Sequence, residues 1–312
     1  MYLSEVTKGM DGRLVRDGEF QTLEYCTGRL EVPFLTFMGN ARFLDRMSPY
    51  ASCVLCSGEL VDRLPQGITG VFVTEAPRES FQIIHNGLSG NAQYCLPAAG
   101  NRIGSDCVIS ERASIAGNNV EIGDRVVIED NVIVYDHVKI GNDCVIRGGA
   151  VLGGKAFTFA RTRENSLLGM EDLGRVVIGD RVEIFSLAHI AKGILPTDTT
   201  YIGDDVKIDA LVQIGHGSVI GERTLVAEGA VIAGNVCIGT DAWIGVNATV
   251  SNRIRIGDHA RVSLGSVVTK NVAEGQTVTG NFAIDHTDFL RNLKEKLSGL
   301  RCVCNEKGSM LL

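Results

Sequence analysis

A histidine set between two glycines is the residue most able to do chemistry in this chain: Ile214-Gly215-His216-Gly217. A neutral imidazole near pH 7 can take a proton from an attacking amine or hydroxyl. Glycines on both sides let a substrate approach closely. Two carboxylates are spaced to orient the ring. Asp209 lies seven residues earlier and Asp198 eighteen earlier. Either could accept an imidazole N–H and fix its tautomer. From these residues alone, an exposed histidine with no task is the competing reading.

The elements that must position His216 are written in a six-residue beat. Ile202, Ile208, Ile214, Ile220, Val226, Ile232, Ile238, Ile244, Val250, Ile256, Val262 and Val268 recur without a slip. Four residues after each comes a small or β-branched side chain, such as Val206, Ser218 or Ala230. A helix needs a period near 3.6 and a lone strand a period of 2. Six fits a short strand plus a corner, with three such sides per turn of a prism. The fold class expected is therefore mainly β, a parallel β-helix of hexapeptide repeats. Each coil of three hexads holds 18 residues, which puts Asp198 one coil below His216 and Gly234 one coil above. A backbone N–H at the Gly234 corner could then stabilise an oxyanion.

The beat also maps the domains. It is traceable from Ile103 to Val268 with a break after Leu152 and a skipped site at Pro196. Three segments follow: residues 1–100, a small α/β domain; 101–280, the β-helix, with an excursion at 153–175; and 281–312, a C-terminal helix and tail. The helix is read from Phe289, Leu290, Leu293, Leu297 and Leu300, spaced by three and four, with Arg291, Lys294, Lys296 and Arg301 between. In the first segment, Ser52–Leu55 and Gly70–Val73 read as strands and Ser80–Leu88 as a helix. A prism filled with side chains has no internal pocket, so function is expected on its outer faces and in the looped-out segment.

Composition narrows the classes. The 312 residues carry a formal net charge of −7. No basic stripe with interleaved aromatics suggests nucleic acid. No apolar run of transmembrane length and no signal-like opening is present, so a cytoplasmic location is expected. The nine cysteines are read as reduced thiols, with Cys107 and Cys144 at inward small-residue sites. The pairs Cys53/Cys56 and Cys302/Cys304 lack the partners of a zinc set. His189 and His259 read as surface residues. Their separations from His216, 27 and 43 residues, are not multiples of 18, which disfavours a three-histidine metalloenzyme. No metal is expected.

One stretch is more specific than the beat. From Leu173 to Gly221, "LGRVVIGDRVEI…TDTTYIGDDVKIDALVQIGHGSVIG" resembles the bacterial UDP-3-O-acylglucosamine N-acyltransferases of lipid A synthesis, and "GGKAFTFA" (residues 153–160) precedes it as the family's glycine-flanked aromatic loop does. The resemblance implies a left-handed coil, His216 as general base and Asp209 as the motif aspartate. It implies that Phe157 and Phe159 cover the site. "FMGNARF" matches the family's uridine pattern, with Phe37, Asn40 and Phe43 as substrate-binding residues: rings to sandwich the base and an amide to read its edge. It further implies a homotrimer with sites between subunits, the loop from one and His216 from another. No cofactor is held tightly. The co-substrate is a thioester of acyl carrier protein or coenzyme A, and the closing helix offers a basic face to the acidic carrier. Three positions depart from the family: Ala191-Lys192 for its Asp-Arg, Ala210 for an asparagine, and Arg253 for a second histidine. Arg253 is read as a phosphate contact. The function expected is acyl transfer to the amine of a nucleotide-linked amino sugar. The alternative is a noncatalytic β-helix scaffold.

Overall fold

The computed structural model describes residues 1–280, 283 and 285–306, with side chains of the closing helix described as far as Lys296. The expected strands at Ser52–Leu55 and Gly70–Val73 lie in a five-stranded sheet of order β1-β5-β4-β3-β2. Its strands are β1 (Arg13–Arg16), β2 (Thr22–Leu23), β3 (Phe34–Met38), β4 (Ala51–Cys56) and β5 (Gly70–Val73). β3, β4 and β5 pair in parallel, and their near-continuous apolar runs fit strands covered on both faces. A short helix α1 (Leu3–Val6) begins the chain, and α2 (Pro77–Gly87) packs on β3 and β4. Pro77 opens α2, where its missing N–H costs nothing. Cys53 and Cys56 are buried free thiols.

From Arg102 to Val278 the chain is a parallel β-solenoid. Among the described residues it has three sheets of nine, eight and eight short strands. The sides stack in register, Gln213 on Val231 and Ile214 on Ile232, eighteen residues apart. All twelve sites from Ile202 to Val268 are buried. So are the small partners such as Ser218, Thr224 and Ala230. Each inward aliphatic is covered by its copies above and below, so removing one, Ile to Ala, would cost about 2–5 kcal/mol.

Many corners place a non-glycine residue at positive φ, for example Arg125 (55°), Asp205 (60°), Asn235 (59°) and Arg253 (61°). That conformation costs roughly 1–2 kcal/mol for an L-residue. The corner recurs because it turns the chain while the ladders on either side stay paired.

Two coils carry excursions from the prism. The first contains the expected excursion, and part of that excursion is an antiparallel hairpin, Phe159–Arg161 against Leu167–Gly169. The second lies between Ile190 and Ile214, which are paired although twenty-four residues apart. Here residues 191–198 leave the prism. Ile194 and Leu195 are buried in the core built by Leu23, Leu35, Phe72 and Phe81 of the N-terminal sheet and α2. Helix α3 (His286–Glu306) closes the described chain. It contains the expected amphipathic run, with Phe289, Leu290 and Leu293 exposed and Arg291 paired with Asp288 at 2.6 Å. The side chains of Leu297, Leu300, Arg301, Cys302 and Cys304 lie outside the described residues.

Candidate active site

Three parts of the chain converge on one cavity of about 470 Å³. The solenoid supplies His216, Gly234, Asn235, Asn252 and Arg253 from successive coils of one corner. The excursion supplies Phe157, Thr158 and Phe159. The N-terminal domain supplies Tyr25, Phe37, Phe43, Arg78, Phe81 and Gln82. Seven residues singled out in the sequence therefore meet: His216, Gly234, Arg253, Phe157, Phe159, Phe37 and Phe43.

His216 is half-buried and held by its own corner. Its carbonyl accepts from the Asn235 N–H at 2.8 Å, and the next N–H, of Gly217, donates to Thr200 Oγ1 at 2.9 Å. The Thr200 hydroxyl in turn donates to the Ala191 carbonyl at 2.7 Å. The imidazole lies over Gly234, so close that a Cβ there would stand 2.4 Å from Nε2. Gly234 is thus required by the ring. Burial first, then the charge of Arg253, hold the His216 pKa below the ordinary histidine range. The ring is accordingly neutral at pH 7 and able to accept a proton.

The carboxylates are arranged differently from the expectation. His216 Nδ1 is buried without a hydrogen-bond partner among the described residues. Asp198 Oδ2 accepts from the Leu195 N–H at 3.1 Å, inside the second excursion, and burial raises its pKa. Asp209 stands on another corner, where Oδ1 accepts from the Ala210 N–H at 2.8 Å. Neither orients the imidazole within one chain. Asn40 also differs. It is exposed and caps the 3₁₀ turn Ala41–Arg46, Oδ1 accepting from Arg42 N–H at 2.9 Å, and it does not line the cavity. Its cap places Phe43 in the wall. The loop over His216 belongs to the same chain, so one copy provides both.

The rings form two groups. Tyr25, Phe37 and Phe81 pack with centroids 5.0–6.3 Å apart. Phe157 and Phe159 pair at 5.1 Å, and Phe157 is 94% exposed. An apolar ring kept so far in water is poised to cover something.

The decisive observations are these two stretches of repeat and their relatives. Residues 119–154 and 199–234 match the bacterial transferase hexapeptide repeat (six repeats), and the second stretch contains His216 and Gly234. A UDP-3-O-acylglucosamine N-acyltransferase of Rhizobium meliloti is 39% identical over 156 residues, 50% of this chain and 44% of that protein. One of Delftia acidovorans is 33% identical over 137 residues, 44% and 40% of the two chains. Over about half its length the chain is similar to the UDP-3-O-acylglucosamine N-acyltransferases. The matches span less than half the length of these relatives. Among solved structures, a UDP-N-acetylglucosamine acyltransferase from Campylobacter jejuni superposes with a TM-score of 0.53 at 23% identity, over 58% of this chain and 68% of that one, a likeness of fold.

The residues that sequence reasoning missed come mostly from the N-terminal domain. Helix α2 clasps the excursion. Asn86 donates to the Gly169 carbonyl at 2.8 Å and accepts from the Glu171 N–H at 3.0 Å. His85 Nε2 lies 2.8 Å from the Glu171 carbonyl and Nδ1 2.7 Å from the Tyr94 hydroxyl. The carbonyl can only accept, which assigns the proton to Nε2 and makes Tyr94 the donor to Nδ1. Burial depresses the His85 pKa in keeping with that neutral form. Glu24 is pushed up to about 7 by burial and by Asp198, and Tyr25 to about 12 by burial. Lys192, one of the departures from the family, is buried and pairs with Asp136 at 2.5 Å. His189, read as a surface residue, is half-buried with Nδ1 unpartnered, while His259 is exposed. No described group of three His, Cys, Asp or Glu side chains is placed to hold a metal ion. No described helix is long and apolar enough to cross a membrane.

Proposed function

We propose that the chain transfers an acyl group from a thioester to the amine of a nucleotide-linked amino sugar. The observation that carries this reading is the single cavity shared by a neutral His216, the Gly234 corner and aromatic rings from two other segments. The amine nitrogen attacks the thioester carbonyl carbon. His216 takes the amine proton on Nε2 as the C–N bond forms. The Gly234 N–H, bound to nothing among the described residues, faces the developing oxyanion. The C–S bond then breaks, the imidazolium returns its proton to the departing sulfur, and an amide remains.

Phe37 and Phe43 offer stacking surface to the nucleotide base, and Phe157 and Phe159 fold over the bound substrates. Arg253 contacts a phosphate. Asp209 sits on another corner, so its part in holding the imidazole requires a second copy of the chain, in keeping with a homotrimer. Arg291, Lys294 and Lys296 of α3 offer basic groups to an acidic acyl carrier protein, and an acyl-CoA donor fits the same chemistry. The names of the relatives support a UDP-linked acylglucosamine as acceptor, and lipid A synthesis in the cytoplasm is the setting this reading implies.

The test is product mass spectrometry with a panel of amino-sugar nucleotides, each offered acyl carrier protein and CoA thioesters. The expected product carries one acyl group on the sugar nitrogen. No turnover with any pair, together with no nucleotide binding by calorimetry, would leave a scaffold as the better description.

A further inference from the structure

Two cations in the cavity have no counterion among the described residues. Arg78, in the first turn of α2, and Arg253, on the solenoid corner, line the same space from different domains. Neither takes part in an ion pair or a side-chain hydrogen bond among the described residues. The Arg253 side chain lies over the face of Tyr25, its guanidinium carbon 5.7 Å from the ring centre. Arginines on another corner of the same solenoid behave otherwise: Arg125, Arg181 and Arg223 each grip an aspartate one coil on with two nitrogens.

No acid among the described residues lines the cavity to balance the pair. The charges of Glu24 and Asp198 oppose those of Arg78 and Arg253 at Tyr25. Neither carboxyl lines the cavity, and burial raises Glu24 to about 7 and Asp198 above its ordinary range. The cavity is left with a net positive wall, a neutral base and rings.

We infer that Arg78 and Arg253 form a two-arginine subsite for the oxygens of a phosphate-class anion, closed between the N-terminal domain and the solenoid. A guanidinium fork matches two phosphate oxygens at once, and two forks from different elements fix both position and orientation. The anion bridges the domains, and its neutralisation removes the cost of holding two like charges over one cavity. The assignment of its source rests on the acyl-transfer reading: the diphosphate of the sugar nucleotide, or the phosphodiester of the carrier arm.

The experiment uses the full chain and inorganic pyrophosphate. Calorimetry is expected to show pyrophosphate binding, weakened about tenfold or more in Arg78→Gln and in Arg253→Gln and partly restored in Arg253→Lys. Arg223→Gln, which removes the same charge from the compensated corner, should bind as the unaltered protein does. Melting temperatures report that each variant folds. Pyrophosphate that fails to bind, or either glutamine variant binding as well as the parent, overturns the subsite. Steady-state kinetics then separate the sources: a rise in the acceptor KM alone assigns the diphosphate, and a rise in the donor KM alone assigns the carrier arm. Absence of turnover with pyrophosphate binding intact would refute acyl transfer and leave the subsite standing.

Discussion

Two corners of the same solenoid share a backbone and differ in everything else. On one, Arg125, Asp143, Arg181, Asp205, Arg223 and Asp241 alternate at φ 55–60°, each arginine gripping the next aspartate. On the other, Gly217, Asn235 and Arg253 occupy the equivalent positions at φ 59–65°, and His216 stands beside them. The first corner satisfies its charges internally. The second leaves a base, a cation and a glycine N–H without partners among the described residues, on residues that line one cavity. Exposed ion pairs of the first kind are each worth about 0.2–1 kcal/mol. Charges left uncompensated at the second are of use only when a ligand completes them.

Substitutions can break this contrast, starting with the base. His216→Ala is expected to lower turnover by about 10²–10⁴-fold with the fold intact, measured by product formation and circular dichroism. A variant with near-normal turnover would remove His216 from the mechanism. Gly234→Ala comes next. Its Cβ would stand 2.4 Å from Nε2, so the ring must shift, and a displacement near 1 Å costs roughly 10²-fold in kcat. The residue one coil further up, Asn252, does not carry this constraint.

Asn86→Ala removes two of the bonds from α2 to the excursion and leaves that of His85 to Glu171. It is expected to cost about 1–3 kcal/mol in thermal unfolding and to raise KM as Phe157 and Phe159 lose their anchor. A pH profile tests the electrostatics more finely. His216 must be neutral to act, and its pKa is depressed, so kcat/KM should hold its plateau below pH 6.5 and fall only through the lowered pKa. Arg253→Gln takes away the neighbouring charge and should move that acid limb to higher pH. An unmoved limb would show that burial alone sets it. The smallest effect belongs to the ladder: Arg223→Gln should change stability by no more than about 1 kcal/mol and leave activity alone.

The hexad was legible because an inward aliphatic at every sixth residue, twelve times from Ile202 to Val268, has one architectural meaning. The excursion after Leu152 was legible because it breaks phase. The second excursion was not. Its coil has twenty-four residues, a multiple of six, so Ile190, Ile202 and Ile214 keep step while Ile194 and Leu195 leave to fill another core. The same arithmetic placed Asp198 below His216, and the loop turned its carboxylate to the Leu195 N–H instead.

The sequence by itself determined the prism, the corner that carries His216, the glycine one coil above it, and the aromatic segments that could reach a nucleotide. All of these are local or periodic, written within a few residues or at multiples of six. Only the tertiary structure decided that Tyr25, Arg78 and Phe81 complete the wall, that Asn40 is a cap, and that α2 clasps the excursion. These depend on how an aperiodic domain folds back on a periodic one, and no spacing in the chain links the two. It also decided which charges cancel, since an arginine has the same letter whether an aspartate waits one coil away or an empty cavity does.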